Sequence, residues 1–118
     1  MIEVTLIQYL MGKTSAGNDV YAERPETPPS SYILIDKTGS SVENMIPTST
    51  IAIQSISNSM QGGSMFGAMS LNDEVKSAME DIIALDDIVS VRLTSDYNYT
   101  DDSTKEYRYQ AVYEITHY

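Results

Sequence analysis

Hydrophobic and polar positions alternate over the last third of the chain. In the segments 88–99 and 105–115, odd positions are mainly apolar or aromatic and even positions mainly polar. Because successive strand side chains point to opposite faces, this pattern predicts two long strands with one apolar and one solvated face. The predicted apolar face comprises Val89, Val91, Leu93, Tyr97, Tyr99, Tyr107, Tyr109, Ala111, Tyr113 and Ile115.

Two pairings of these strands as an antiparallel hairpin keep the aromatic residues together. One places Asp96 opposite Arg108 on the polar face, and the other places Arg92 opposite Glu114. Cross-strand pairs of this kind each contribute a few tenths to about 1 kcal/mol. The positions expected in the core are Val89, Val91, Leu93, Ala111, Tyr113 and Ile115.

The rest of the chain predicts two helices and three extended segments. Apolar residues at helical spacing predict a helix over residues 2–12, closed by Gly12, and a second helix over about 64–85. The apolar stripe of the second helix comprises Met65, Phe66, Met69, Val75, Met79, Ile82 and Ile83. Strand patterns occupy 20–22, 31–37 and 48–57, with a polar connection over 40–47 and a break over 58–63.

This order of elements predicts an α+β fold in one domain over residues 1–118. We expect an antiparallel or mixed β-sheet with two helices packed on one face and a long C-terminal β-hairpin.

Composition narrows the class of protein. The chain has no cysteine, which argues against a disulfide framework or a thiolate metal site. We expect neither a signal peptide nor a membrane span, and therefore folding in a cytoplasm. The net charge is −10, from 17 acidic and 7 scattered basic residues, which disfavours tight phosphate binding. The acidic surface fits either solubility alone or a surface past which DNA moves without sticking.

No combination of residues forms a recognisable catalytic or metal-binding pattern. The tripeptide Gly12-Lys13-Thr14 resembles the end of a phosphate-binding loop but lacks the loop's first glycine. His117 is the only histidine, and a catalytic triad or metal site needs partners. Asp96, Asp101 and Asp102 lack the glycine and closing glutamate of a calcium loop. We therefore expect no enzyme activity, catalytic residue, cofactor or metal.

The tyrosines of the hairpin could in principle stack on nucleic acid bases. Stacking platforms combine aromatic rings with a positive groove, but only Lys105 and Arg108 lie near these tyrosines, among acids. Packing in the core or at a subunit interface is favoured, because tyrosine buries a large ring while its hydroxyl keeps a polar partner.

Several stretches resemble one family of viral proteins. Val20 to Gly39 combine a short VY-x-E-x-P strand, a proline pair, an apolar strand and a Thr-Gly turn. The segment TSTIAIQS, the following helix and residues 93–115 then come in the expected order. From about residue 20 to residue 118, the chain resembles the tail-terminator and head–tail joining (minor capsid) proteins of long-tailed bacteriophages.

The resemblance implies a structural, non-catalytic virion protein, made in the host bacterial cytoplasm, with one tail-terminator-like domain. Such subunits form a hexameric ring that ends the tail tube and joins it to the head. The implied partners are further copies of the chain, a tail tube protein and a head-completion or connector protein, with passive passage of DNA and no membrane.

By position alone, the residues expected at subunit contacts lie in the loop 38–47, in the proline segment around Pro25, Pro28 and Pro29, and at the outer end of the C-terminal hairpin. At the outer end of the C-terminal hairpin these residues are Asp96, Tyr97, Tyr99, Lys105, Tyr107 and Arg108. The competing class is a small ligand-binding or regulatory α+β module, which would need a pocket with converging polar groups.

Overall fold

Five strands form one mixed sheet in the computed structural model, which describes residues 2–43, 45–59, 62–100 and 106–118. The elements in chain order are α1 (Ile2–Leu10), β1 (Val20–Tyr21), β2 (Ser31–Glu43), β3 (Ile46–Asn58), α2 (Met65–Glu80), a 3-10 helix (Ile82–Ala84), β4 (Ile88–Asn98) and β5 (Glu106–His117). The strand order is β1-β2-β3-β5-β4, with β1 parallel to β2 and all other neighbours antiparallel. This confirms the predicted α+β class and the C-terminal hairpin.

Both helices pack on one face of the sheet, which we call the helix face; the opposite face is the helix-free face. Alternate residues of β3 and β5 point to the helix face and meet the apolar residues of α1 and α2 there. Fully buried members of this core include Leu6, Leu10, Ile51, Ile53, Val75 and Ile115. Burial of each large aliphatic side chain stabilises the fold by roughly 1.5–3 kcal/mol.

The first helix follows the predicted spacing. Ile2, Leu6 and Leu10 lie one turn apart and are buried. Gly12 has a φ of 77°, a left-handed conformation that glycine adopts without a Cβ clash, and it closes the helix as predicted.

The second helix begins as predicted but ends earlier. Ser64 caps its N-terminus by accepting a hydrogen bond from the backbone N–H of Gly67 at 3.0 Å. The α-helix stops at Glu80, and the 3-10 helix Ile82–Ala84 replaces the predicted last turn. Acidic Asp81 lies at the cap, where a negative charge opposes the helix dipole and does not favour continuation.

The inward face of α2 differs from the predicted stripe. Its buried residues, which follow one row of i, i+3 and i+4 spacings, are Ala68, Leu71, Asn72, Val75 and Met79. Phe66 and Met69 fall outside this row and are exposed, and Ile83 beyond the helix is half exposed. The prediction was wrong for these three because apolar character alone did not fix which row faces the sheet.

The predicted polar connection over 40–47 is instead the end of a strand hairpin. β2 continues to Glu43 and β3 starts at Ile46, with Val42 paired to Pro47. A register shift between Lys37 and Gly39 accommodates the extension. Main-chain hydrogen bonds hold this part of β2 and β3 together, so its side chains can be polar on both faces. Because the sequence then lacks an alternating pattern, it does not predict these strand ends.

A β-bulge in β4 moves the outer half of this strand to the other face. Leu93 pairs with Tyr113, as the alternation requires, but after the register shift before Ser95, Tyr97 pairs with Gln110. One extra residue in one strand of a pair reverses which following side chains face the helices. Tyr97 therefore lies on the helix-free face, contrary to the predicted alternation.

The strand register before the bulge decides between the two predicted pairings. Arg92 pairs with Glu114, and their side chains form an ion pair of 3.0 Å, so this prediction is confirmed. The alternative pairing of Asp96 with Arg108 is wrong, because Asp96 lies opposite Ala111 on the helix face.

The core predicted for the hairpin is correct for β5 and largely wrong for β4. Ala111, Tyr113 and Ile115 are buried in β5, the second strand from the edge. Val89 and Leu93 remain 42% and 43% exposed, because β4 is the outermost strand and α2 covers it incompletely.

Candidate functional site

A buried carboxylate organises the helix-free face. Glu106, at the start of β5, is 1% exposed. It accepts hydrogen bonds from the Tyr32 hydroxyl on β2, from Arg24 Nε at 3.2 Å and from Arg108 Nη2 at 3.1 Å. We call these four residues the Glu106 cluster. A buried charge is tolerated only when it is paired, and the two guanidinium groups pair with this carboxylate.

The electrostatics of the Glu106 cluster follow from burial and pairing. Burial alone would raise the pKa of Glu106, but hydrogen bonds from Tyr32, Arg24 and Arg108 outweigh it and hold this pKa below its usual value. Burial, together with the hydrogen bond to Glu106, raises the pKa of Tyr32 to about 12. At neutral pH the carboxylate is therefore ionised and the phenol is a neutral donor.

The cluster holds the proline segment against the sheet. Arg24 belongs to the connection between β1 and β2, and its side chain is about half exposed while it contacts the buried Glu106. The backbone N–H of Asn58 donates to the Ser30 carbonyl at 2.8 Å, which fixes the other end of this connection. This segment therefore covers one end of the helix-free face.

Further polar residues continue the network across the sheet. Arg108 donates to Gln54, Gln54 donates to Gln110 at 2.9 Å, and Gln110 donates to the Tyr97 hydroxyl. The Tyr97 ring then meets the Tyr99 ring edge to face, with centroids 6.0 Å apart. Because most of these donors and acceptors satisfy one another, the arrangement stiffens the face.

A second polar cluster joins α2 to β4 on the helix face. Asp96 accepts hydrogen bonds from Asn72 Nδ2 at 2.7 Å and from Lys76 Nζ at 2.6 Å. Burial alone would raise the pKa of Asp96, but these two bonds outweigh it and lower that pKa, while the bond to Asp96 raises the pKa of Lys76. The cluster fixes the bulged half of β4 to the helix.

An apolar groove lies beside this cluster, between α2 and the outer strand. It has a volume of about 680 Å³, and its apolar walls are Met79, Ile83, Val91, Leu93 and Tyr113. Burial, reinforced by the negative charges of Asp96 and Glu80, raises the pKa of Tyr113 to about 12, so its hydroxyl stays neutral. We call this feature the α2–β4 groove.

The sheet has two open edges. β1 pairs only with Ile33 and Leu34 of β2, so β2 from Ile35 to Glu43 has no outer neighbour among the described strands. β4 forms the other edge and is exposed over most of its length. Unpaired edge strands present rows of N–H and C=O groups that can join another chain.

The residues predicted at subunit contacts do not form one patch. Tyr97, Tyr99 and Arg108 lie on the helix-free face, whereas Asp96 and Tyr107 point to the helix face. Lys105, Asp101 and Asp102 lie outside the described residues. The structure does not test an interface role for any of them.

Sequence reasoning missed the centre of the polar network. Glu106 occupies a position in the alternating pattern assigned to solvent, while its partners Tyr32 and Arg24 lie 74 and 82 residues away along the chain. No local pattern marks such a contact.

Two general findings concern metals and membranes. Within the described ranges, no group of three or more histidine, aspartate or glutamate residues is arranged to hold a metal ion. No helix in the part of the chain that the structure describes combines the length and apolar character needed to cross a membrane.

Comparison with known proteins gives a likeness in fold. No protein-family model and no curated protein sequence matches the chain. Nine chains of solved structures are similar to it. One of them belongs to the structure "Virion of native gene transfer agent (GTA) particle", with a TM-score of 0.65 and 12% sequence identity, covering 98% of this chain and 93% of that chain. At this identity the likeness establishes a shared fold over nearly the full length of both chains.

Proposed function

We propose that this protein is a structural component of a virion and assembles as a hexameric ring at the head–tail junction. The observation that carries the proposal is the likeness in fold to a chain of a gene transfer agent virion, which covers nearly all of both chains. The sequence resemblance to tail-terminator and head–tail joining proteins supports the same class from residues 20 to 118.

The two open edges of the sheet support the assembly of several copies of the chain into a ring. β2 and β4 are antiparallel to each other, because three antiparallel pairings separate them in the order β2-β3-β5-β4. A second copy in the same orientation would place its β2 beside the β4 of the first, and the strands would continue to alternate in direction. A head-to-tail contact of this kind closes into a ring when its rotation divides a full turn.

In this role the ring ends the tail tube and provides the surface that joins it to the head. Its partners are the tail tube protein and a head-completion or connector protein, and DNA passes through the lumen. A net charge of −10 per subunit keeps phosphate from adhering. The role requires no catalysis, which fits polar clusters whose members bond mainly to one another.

The alternative of a small ligand-binding module is less well supported. The α2–β4 groove is large enough for a ligand, but Lys76 on its rim is already paired with Asp73 and Asp96. A binding pocket needs polar groups that converge on the ligand. On the described rim, Lys76 and Asp73 are directed at one another.

The proposal is tested with particles assembled in bacteria that carry the virus or prophage genome without this gene. We expect electron micrographs to show filled heads without tails, and free tails of irregular length. Supplying the unmodified gene from a plasmid should restore joined particles. Tails of normal length attached to heads in the absence of the protein would reject the proposed role.

A further inference from the structure

The α2–β4 groove leaves apolar side chains exposed along one edge of the molecule. Ile83 and Leu93, which line the groove, are 50% and 43% exposed, and Val89 at the start of β4 is 42% exposed. Met79 and Tyr113 form the floor of the groove and are buried. Exposed apolar surface beside an open strand edge is typical of an interface.

An apolar projection lies on the opposite edge of the sheet, where β2 turns into β3. Met45 is 93% exposed and Val42 is 71% exposed, the largest exposures among the described large apolar side chains apart from Phe66 and Tyr118. Met45 also has a φ of 65°, an unfavourable conformation for a residue with a long side chain. We call Val42 and Met45 the hairpin tip.

The groove and the hairpin tip lie at the same end of the sheet. Ser90 of β4 pairs with Thr116, Thr116 pairs with Thr48, and Thr48 pairs with Ser41. These four residues form one row across the sheet, so the strand that borders the groove begins at the level where the hairpin tip projects. A copy added edge to edge in the same orientation, with this row continued, would place its hairpin tip at the start of β4 in its neighbour, beside the groove.

We infer that the hairpin tip of one copy of this chain docks in the α2–β4 groove of the next copy. The occupant is a second copy because the chain itself carries the apolar projection, at the matching level and on the edge that strand pairing would bring nearby. Docking covers Met45 and Val42 against Ile83. The inference rests on the proposed ring and names the side-chain contact that would link its subunits.

Disulfide trapping tests this contact cleanly because the chain has no cysteine of its own. The test variant is Met45→Cys with Ile83→Cys. Within one chain these positions lie on opposite edges, more than two strand spacings or about 10 Å apart, too far for an internal disulfide. Under mild oxidation we expect a ladder of linked subunits on non-reducing gels that ends at the hexamer and disappears with reductant.

The matched control is Met45→Cys with Phe66→Cys. Phe66 is more exposed than Ile83, but it follows Ser64, whose N–H bonds to Ser57 at the far end of β3. This control should give no more linked subunits than variants that carry only one of the cysteines. Equal ladders from both pairs, or none from the Met45→Cys and Ile83→Cys pair, would overturn the inference.

Electron microscopy of the unmodified protein, at high concentration and on tails, distinguishes failure of the docking contact from failure of the proposed ring. Rings without the specific disulfide reject the docking contact and leave the proposed function standing. Specific disulfides in open chains of indefinite length reject the ring, and with it the docking within a ring. Rings that carry the specific disulfide support both.

Discussion

Replacement of Glu106 by alanine removes the acceptor at the centre of the helix-free face. The Glu106 side chain is fully buried, while Arg108 is 15% exposed and Arg24 is 48% exposed. After the change the Tyr32 hydroxyl has lost its partner in a buried site, and Arg108 keeps only its bond to Gln54. Both groups then carry a desolvation cost that the carboxylate had offset.

The expected loss follows from these exposures. Breaking a buried charge pair by removing one partner costs about 3–5 kcal/mol. Because water screens the half-exposed Arg24, we place Glu106→Ala at the low end, about 3 kcal/mol of unfolding free energy. With an unfolding entropy of about 2.1 cal/mol/K per residue, this lowers the Tm by roughly 12 °C.

The matched control is Glu114→Ala, on the same strand and the same face. Glu114 also pairs with an arginine, Arg92, but the two side chains are 44% and 73% exposed. An exposed pair contributes only about 0.2–1 kcal/mol, so this variant should unfold close to the unmodified protein. Thermal and urea unfolding followed by circular dichroism measures both. Equal losses from the two variants would refute the assignment of Glu106 as a buried, paired charge.

The pH dependence supplies a second readout. The pKa of Glu106 in the folded state lies below its ordinary value of 4.5. Its stabilising contribution is therefore present above about pH 4.5 and is lost as the pH falls through the folded-state pKa. The stability difference between the unmodified protein and Glu106→Ala should shrink below pH 4.5, and a difference that grows on acidification would contradict the reasoning.

Two further predictions concern other parts of the fold. Gly63→Ala should lower the free energy of unfolding by about 2 kcal/mol or more, because an added Cβ would lie 2.4 Å from Ser57 Oγ and 2.6 Å from a backbone oxygen. The control Gly39→Ala, whose added Cβ would have its nearest contact at 3.8 Å, should lower it by less than about 1 kcal/mol. Urea unfolding measures both. Asp96→Asn should lower the free energy of unfolding by about 1 kcal/mol, because it weakens the bond to Lys76, whose side chain is 29% exposed. This loss should shrink in 1 M salt, which screens the charges. A loss that stays the same in salt would contradict the ionic contribution.

Local periodicity determined much of the fold. The alternation over β5 predicted the buried apolar residues Ala111, Tyr113 and Ile115, and the spacing of Ile2, Leu6 and Leu10 predicted α1 together with its end at Gly12. These predictions succeed because the period of a strand or helix directly sets which side chains share a face. The order of elements then predicted helices on one face of a sheet.

The candidate interaction surface was only partly predictable. The sequence placed Tyr97, Tyr99 and Arg108 near the outer end of the hairpin, and the structure describes them there. It could not show that the α2–β4 groove stays open, because the cover of an edge strand depends on how a helix crosses the sheet. The full length of β2 and β3 could not be predicted either, because strands held by main-chain hydrogen bonds need no particular side-chain pattern.

Only the tertiary structure decided the two features that define the helix-free face. One added residue at the bulge before Ser95 reversed the facing of Tyr97, and alternation cannot reveal where such a slip occurs. Glu106 became buried because partners 74 and 82 residues away in the chain, Tyr32 and Arg24, approach it across the sheet. A local pattern records periodicity along a strand, whereas the burial of a charge depends on which distant groups the fold brings within hydrogen-bonding distance.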